Sequence, residues 1–198
     1  MTRTRAVLAA TSLATAAALL VAGCADDPPT SPRAAASSAS TKPSPSPSPT
    51  AKAVVVAPER PQALDDDGPA GAEAAAVYFL ELDDYIMKTG DTAEYEAMSQ
   101  KSCQFCSNRL DQAKDITEND LTWNGGELTA RVTHTYEQDK ATGIWPIDVD
   151  VTIAPASVTD PSGDEVFANP SAKTKFRVEV ARKDSQWRVV GVADQPKP

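Results

Sequence analysis

The chain has 198 residues, a formal net charge of −9 at pH 7 and a hydrophobic fraction of 41%. This length allows one ordinary domain together with segments that do not fold. The acidic balance argues against nucleic acid as a partner, because no basic stripe could displace the counterions of a phosphate backbone.

The first residues are typical of a secretory signal segment. Arg3 and Arg5 provide the positive start, and an apolar run follows over residues 6–22. An uncleaved transmembrane anchor is the alternative. The run is short and alanine-rich for a membrane span, however, and Asp26 and Asp27 follow it at once. We therefore expect residues 1–23 to be a signal peptide.

The end of this run carries a lipidation motif. Leu20-Val21-Ala22-Gly23-Cys24 resembles the lipobox of bacterial lipoproteins. The resemblance implies cleavage before Cys24, a diacylglycerol thioether on its sulfur, and attachment to the extracytoplasmic face of the cell membrane. Two acyl chains give a stable anchor, whereas one chain binds reversibly. Removal of residues 1–23 takes away two arginines and no acids, which makes the mature chain more acidic still.

Residues 24–69 are predicted to be a disordered tether. Ten of the chain's 16 prolines fall there, many alternating with serine between Ser37 and Thr50. Such a segment cannot bury apolar surface and favours polyproline II conformations. We expect it to hold a folded domain away from the membrane. An O-glycosylated stalk is the alternative that its Ser/Thr and Pro content allows.

Residues 70–195 are predicted to form a single α+β domain that begins with helices. Pro69 suits a first helical turn and Gly90 a helix end. Apolar residues recur between them at helical spacing, which predicts the first helix. A capping-box pattern at residues 91–94 predicts a second, short helix through Met98. A third is predicted over about residues 107–116.

The remainder of the domain is strand-like. Alternation of apolar and polar residues predicts strands at 128–136, 145–153, 173–182 and 186–192. Residues 123–126 are interpreted as a tight turn between strands, and residues 159–164 as a turn-rich section. Helices followed by an antiparallel meander define the α+β class.

Two cysteines remain beside Cys24. Cys103 and Cys106 form a C-x-x-C, and an even pair in an oxidising compartment predicts a structural disulfide. A thiol–disulfide exchange role is an alternative that would need an accessible thiol of lowered pKa. A metal site is a second alternative, but one histidine and no further free cysteine leave too few ligands. No metal or cofactor is therefore predicted.

Taken together, these motifs resemble a known family. The order Tyr78-Phe79, Lys88-Thr89-Gly90-Asp91-Thr92, Met98-Ser99, Cys103-Gln104-Phe105-Cys106, Trp123-Asn124-Gly125-Gly126 and Gln186-Trp187-Arg188-Val189 is similar to actinobacterial lipoproteins known only as a domain of unknown function. The resemblance implies the cone-shaped fold of nuclear transport factor 2-like proteins. In that fold, N-terminal helices pack on a curved antiparallel sheet, here of about 4–6 strands, and leave a hollow. It brings no catalytic residues.

Five side chains are candidates for lining such a hollow: Tyr78, Tyr85, Trp123, His134 and Trp145. The aromatic residues are otherwise core residues, as aromatics at helical or strand spacing usually are. His134 is the single histidine, and strand alternation predicts that it faces the helices, where it could act as a general base. The same alternation predicts that Asp148 and Asp150 face water.

The predicted function is therefore a non-catalytic binding or interaction module, anchored to the membrane through Cys24, with an envelope protein or a small ligand as partner. The sequence shows no Ser-His-Asp order, phosphate-binding glycine loop or HExxH motif. A small-molecule enzyme that uses a pocket with His134 is one alternative. A redox role for Cys103 and Cys106 is another.

Overall fold

A computed structural model describes residues 54–196 of the chain. The predicted signal segment, the predicted lipidation site Cys24 and the tether up to residue 53 lie outside the described residues.

Three α-helices come first in the part of the chain that the structure describes. A 3₁₀ turn, Gln62–Asp65, precedes α1 (Pro69–Thr89), α2 (Ala93–Met98) and α3 (Gln104–Glu118). Gly90 ends α1 with a φ of 72°, as its position in the sequence predicts. The predicted second helix is present, but the predicted capping box is wrong, because the N-cap is Thr92 and the Asp91 carboxylate accepts from the Ala93 amide at 3.5 Å instead of from the Glu94 amide.

The folded region begins earlier than the sequence predicts. Leu64 is 4% exposed and belongs to the core, so residues from the 3₁₀ turn onward are part of the domain and not of a tether. The carbonyl of Asp66 accepts hydrogen bonds from the Trp187 indole at 3.2 Å and from Arg182 at 2.6 Å. These bonds tie the start of the domain to its last two strands.

Seven strands follow the helices and form two antiparallel sheets, which confirms the α+β class. The strands are β1 (Thr122–Gly125), β2 (Leu128–Thr135), β3 (Ile144–Ile153), β4 (Ala156–Thr159), β5 (Glu165–Asn169), β6 (Ala172–Lys183) and β7 (Gln186–Asp194). One sheet has the order β2-β3-β6-β7 and the other β1-β4-β5. Helix α1 lies across the four-stranded sheet and contacts all four of its strands.

The two sheets meet at a corner where paired strands bend together. β1 continues into β2 through Gly125 and Gly126, and β3 continues into β4 through Pro155. The Gly126 amide donates to the Pro155 carbonyl at 3.0 Å, and the Ala154 amide donates to Glu127 at 2.9 Å. The predicted tight turn at residues 123–126 is therefore wrong, because β1 pairs with β4 and not with β2.

Glycine is required at this corner for two reasons. Gly125 and Gly126 have φ values of 69° and 80°, which side chains rarely adopt. A Cβ on Gly125 would also lie 2.2 Å from the Pro155 carbonyl oxygen, and one on Gly126 would lie 2.8 Å from the Trp123 indole nitrogen. The corner therefore tolerates no side chain at either position.

A bulge in β2 reverses the predicted orientation of His134. The register with β3 shifts between Val132 and His134, so that His134 stands opposite Asp148 instead of opposite an inward-facing residue. Thr135 consequently faces the helices, and its hydroxyl donates to Glu73 of α1 at 2.5 Å. His134 lies exposed on the outer face. Strand alternation failed here because one extra residue inverts every side chain after it.

Asp148 lies on the outer face, as predicted, but it is 1% exposed and does not face water. Its carboxylate accepts two hydrogen bonds from Arg177, at 2.8 and 3.1 Å, one from the Tyr136 hydroxyl at 3.0 Å and one from Gln195 at 2.6 Å. Burial raises the pKa of Asp148, but these donors outweigh it and hold the pKa below its ordinary value. The network fastens the C-terminal segment to the sheet.

Replacing Asp148 with Asn should lower the free energy of unfolding by about 3 kcal/mol at pH 7, because it leaves a half-buried guanidinium without its charge partner. Asp150→Asn is the matched control. Asp150 is two residues along the same strand, and its ion pairs with Arg131 at 3.3 Å and Lys175 at 3.5 Å are more exposed, so we expect a loss below about 1 kcal/mol. Urea unfolding measures both.

The stability of the wild type and that of D148N should respond differently to acid. Because the pKa of Asp148 is lowered by folding, its contribution is fully present above the ordinary carboxyl pKa of about 4 and is lost as the pH falls through the folded value. The difference in stability between the wild type and D148N should therefore shrink between pH 5 and about pH 2. A difference that stays constant over this range would contradict the assignment.

Candidate functional site

A hollow of about 380 Å³ lies where α1 and α3 cross the corner between the two sheets. Helices and strand ends all contribute to its wall. The lining residues are Leu80, Asp83, Asp84, Phe105, Arg109, Trp123, Gly126, Leu128, Ile153, Ala154, Ala156, Asn169, Pro170, Ala172 and Phe176. Its size is within the range of small-molecule sites, about 300–1,000 Å³, and its lining is mostly apolar with a few polar groups, as is usual for such sites.

An ion pair between two helices forms the polar part of the wall. Asp83 of α1 accepts from the Nε and Nη2 groups of Arg109 of α3, both at 2.6 Å. A third Arg109 nitrogen, Nη1, donates to Gln112 at 2.5 Å. Asp83 is 8% exposed, so the pair is largely buried and fixes the spacing of α1 and α3.

Asp84, the next residue of α1, makes a second polar contact in the wall. Its Oδ2 accepts from Lys88 at 2.8 Å, and Lys88 also donates to Glu127 at 3.1 Å. Burial raises the pKa of Asp84 in spite of Lys88. The Oδ1 oxygen is buried and has no hydrogen-bond partner among the described residues. A buried oxygen without a partner lowers the free energy of unfolding by about 1–3 kcal/mol. The fold thus leaves a polar group here that still lacks a hydrogen bond.

The apolar wall is strongly aromatic. Phe105 of α3 packs edge-on against Phe176 of β6, with ring centroids 5.9 Å apart. Trp123 of β1 lies directly opposite Val158, which lies opposite Phe167 of β5. Residues opposite one another share a face of a sheet. Phe167, which is 42% exposed, therefore continues the face of the small sheet that carries Trp123.

The five residues proposed from the sequence do not lie together, and Trp123 alone among them lines this hollow. Tyr78 is buried in the core, and burial is the main cause of its raised pKa. Tyr85 is half-buried and donates to Asp91 at 3.1 Å. Trp145 is half-buried and packs against the core. The ring of His134 packs edge-on against Tyr136 on the outer face, with centroids 4.3 Å apart.

Several lining residues were missed by the sequence reasoning. Asp83, Asp84 and Arg109 carry charges on helices and are ordinarily solvated, so no local signal indicates their burial. β4 and β5 were also missed, because they are short strands on either side of the predicted turn-rich section. The turn residues that begin at Asp160, between Val158 and Val166, are typical of a β-hairpin. That pattern is the sequence signal from which β4 and β5 can be predicted.

The predicted disulfide is present in the structure. Cys103 and Cys106 are bonded and are 2% and 1% exposed. Helix α3 begins at Gln104 and not near residue 107 as predicted, so the bridge spans its first turn. Cys103 is the N-cap, and its sulfur accepts from the Cys106 amide at 3.2 Å. The bridge therefore fixes the start of the helix that carries Phe105 and Arg109 to the hollow.

Between residues 54 and 196, no cluster of three or more His, Cys, Asp or Glu side chains is arranged to hold a metal ion. In the same range, no helix combines the length and the apolar character that crossing a membrane would require.

Fold and site thus define a class: a helix-first α+β domain with a bent double sheet and an apolar hollow. The chain belongs to the family of unknown function DUF6318, whose model matches residues 46–193. No curated protein matches the sequence.

Two examples of solved structures similar to this chain match it at low sequence identity. The crystal structure of the intermembrane space region of chloroplast protein ARC6 aligns with a TM-score of 0.51 at 11% identity, over 66% of this chain and 98% of that one. Kfla4162 protein from Kribbella flavida aligns with a TM-score of 0.37 at 13% identity, over 64% and 91%. The first of these indicates a common fold and nothing further.

Removing the disulfide should lower the free energy of unfolding by about 2 kcal/mol, since a bridge across so short a loop lies at the low end of the usual range. The double variant C103S/C106S suits this test, because serine is itself a good N-cap and keeps that role. Guanidinium unfolding without reductant measures the loss. Wild-type protein in reductant should show the same loss, and an unchanged midpoint in both cases would contradict a stabilising bridge.

Proposed function

We propose that this chain is a lipid-anchored, extracytoplasmic binding module whose hollow receives a small molecule. The observation that carries the proposal is the hollow of about 380 Å³, with an apolar aromatic wall and a compact group of charged side chains at one side. The cone-shaped arrangement of nuclear transport factor 2-like proteins, which the sequence resembles, supports a site in this place. That support is an analogy of fold.

The anchoring part of the proposal is supported by the sequence of the N-terminal region. Cys24 ends a run that resembles a lipobox, and a proline- and serine-rich segment follows it. The disulfide of the domain agrees with an oxidising compartment, where such bonds persist. A lipid at Cys24 and the segment after it would present the hollow at a distance from the membrane.

Binding is favoured over catalysis by the position of His134. The side chain lies on the outer face of the four-stranded sheet, whereas the hollow lies on the side of the helices. A general base must reach the proton that it removes, and a ligand in the hollow is separated from His134 by the sheet.

Filling the hollow should weaken the uptake of a neutral apolar probe. Ala172 lines the hollow at an exposed position, so a tryptophan there would occupy space without disturbing the core. We expect A172W to weaken binding of the fluorescent probe N-phenyl-1-naphthylamine by about ten-fold or more, a change of about 1.4 kcal/mol. Fluorescence titration measures it.

Ala168→Trp is the matched control for this experiment. Ala168 is an exposed alanine of β5 that, by strand alternation, points to the opposite face from Phe167 and Asn169. Its variant should bind the probe within about two-fold of the wild type. Equal weakening by both variants, or no saturable binding to the wild type, would refute the hollow as the site.

The Cys24→Ser variant tests the anchor. In cells that express the full chain, the wild type should incorporate radiolabelled palmitate and sediment with membranes, since two acyl chains anchor stably. The variant should lose the label and keep its uncleaved leader. Label that persists in the variant would show that Cys24 is not the lipidated residue.

A further inference from the structure

Each charged side chain in the wall of the hollow already has a partner of opposite charge, Arg109 within the wall for Asp83 and Lys88 outside it for Asp84. Asp83 binds Arg109 through two hydrogen bonds of 2.6 Å, and Asp84 binds Lys88 at 2.8 Å. Both ion pairs are largely covered, since the side-chain exposures are 11% and 23% in the first pair and 20% and 14% in the second. A charged ligand would therefore meet no unpaired counter-charge among these four groups.

The pairs nevertheless leave hydrogen-bonding capacity. A guanidinium has five N–H donors. Arg109 uses three of these N–H groups, two to bind Asp83 and one to bind Gln112. The other two have no acceptor among residues 54–196. The Oδ1 oxygen of Asp84 likewise has no hydrogen-bond partner within that range. That oxygen is covered by its neighbours, so a ligand donor would reach it through a turn of the Asp84 side chain.

We propose, resting on the proposed function, that the hollow selects a neutral amphiphile: an apolar body bearing a hydroxyl or carboxamide group. The apolar body would lie against Phe105, Trp123 and Phe176, and the neutral polar group would lie beside Arg109 and Asp84. A hydroxyl or amide can accept from the remaining Arg109 N–H groups without displacing Asp83, and it can donate to Asp84 once that side chain turns.

An anionic head group is disfavoured by the same contacts. A carboxylate or phosphate could accept from the remaining Arg109 N–H groups, but Asp83 already balances the charge of Arg109, so the anion would lose its water without gaining an unpaired counter-charge. It would also approach the negative charge of Asp84. A cationic head group meets the converse obstacle, since Asp83 is already paired with Arg109 and Asp84 with Lys88, which also binds Glu127.

Four ligands of one chain length test the proposal: decanol, decanamide, decanoate and decylammonium, each used at pH 7.5 to displace N-phenyl-1-naphthylamine from the full-length protein. We expect decanol and decanamide to bind at least about ten-fold more tightly than decanoate and decylammonium, a difference of about 1.4 kcal/mol. Decanoate or decylammonium binding as tightly as the neutral pair would overturn the selectivity while leaving a binding hollow. Failure of all four ligands, and of the probe itself, would instead refute the proposed function.

A charge variant gives the selectivity a second test. In Asp83→Asn the guanidinium of Arg109 loses its partner charge, so the preference should move toward the anion. We expect decanoate to gain at least about ten-fold relative to decanol. Asp111→Asn is the matched control, because Asp111 is an exposed residue of α3 outside the wall of the hollow, and its ratio should stay within about two-fold. An unchanged ratio in folded D83N would contradict the role given to the ion pair. If D83N does not fold, the wild-type series decides alone.

Discussion

The architecture depends on a single corner, where β1 bends into β2 and β3 bends into β4. The Gly126 amide donates to the Pro155 carbonyl and the Ala154 amide to the Glu127 carbonyl, so the two neighbouring segments bend at the same place. Gly125 and Gly126 provide the positive φ values, and the Trp123 indole occupies the space that a side chain on Gly126 would need. Without this bend, β1, β4 and β5 would continue the plane of the large sheet. No wall would then stand opposite α1 and α3, and the hollow would be an open surface.

The polar groups of the domain are buried by two different means, with different consequences. On the outer face, Asp148 has four donors around it, so its charge is fully satisfied and the C-terminal segment is held in place. In the hollow, Asp83 is satisfied by Arg109, but one oxygen of Asp84 has no hydrogen-bond partner among the residues that the structure describes. A fully satisfied network adds rigidity and offers a ligand little, whereas a partly satisfied one costs stability unless something completes it. This contrast favours the hollow over the outer face as the site of binding.

The sequence predicts elements well where one physical rule dominates. Pro69 and Gly90 bound α1 because ring geometry and positive φ act locally, and the cysteine pair is predicted by its spacing and compartment. Prediction from the sequence fails where the orientation or burial of a residue depends on a partner far away in the chain. The bulge before His134 is set by pairing with β3, and one extra residue exchanges the two faces. Asp83 and Arg109 are 26 residues apart, so their burial follows from how α1 and α3 cross and not from either local pattern.

The position of the disulfide explains its structural effect on the hollow. A bridge over so few residues restricts the unfolded chain only slightly, so its main effect is local. It spans the first turn of α3, with Phe105 between its two cysteines and Arg109 one turn further on. Both side chains line the hollow, one in its aromatic wall and the other in its ion pair. A bridge at this position limits fraying of the helix end that carries both side chains. The shape of the site therefore depends on a bond that persists only where the surroundings are oxidising.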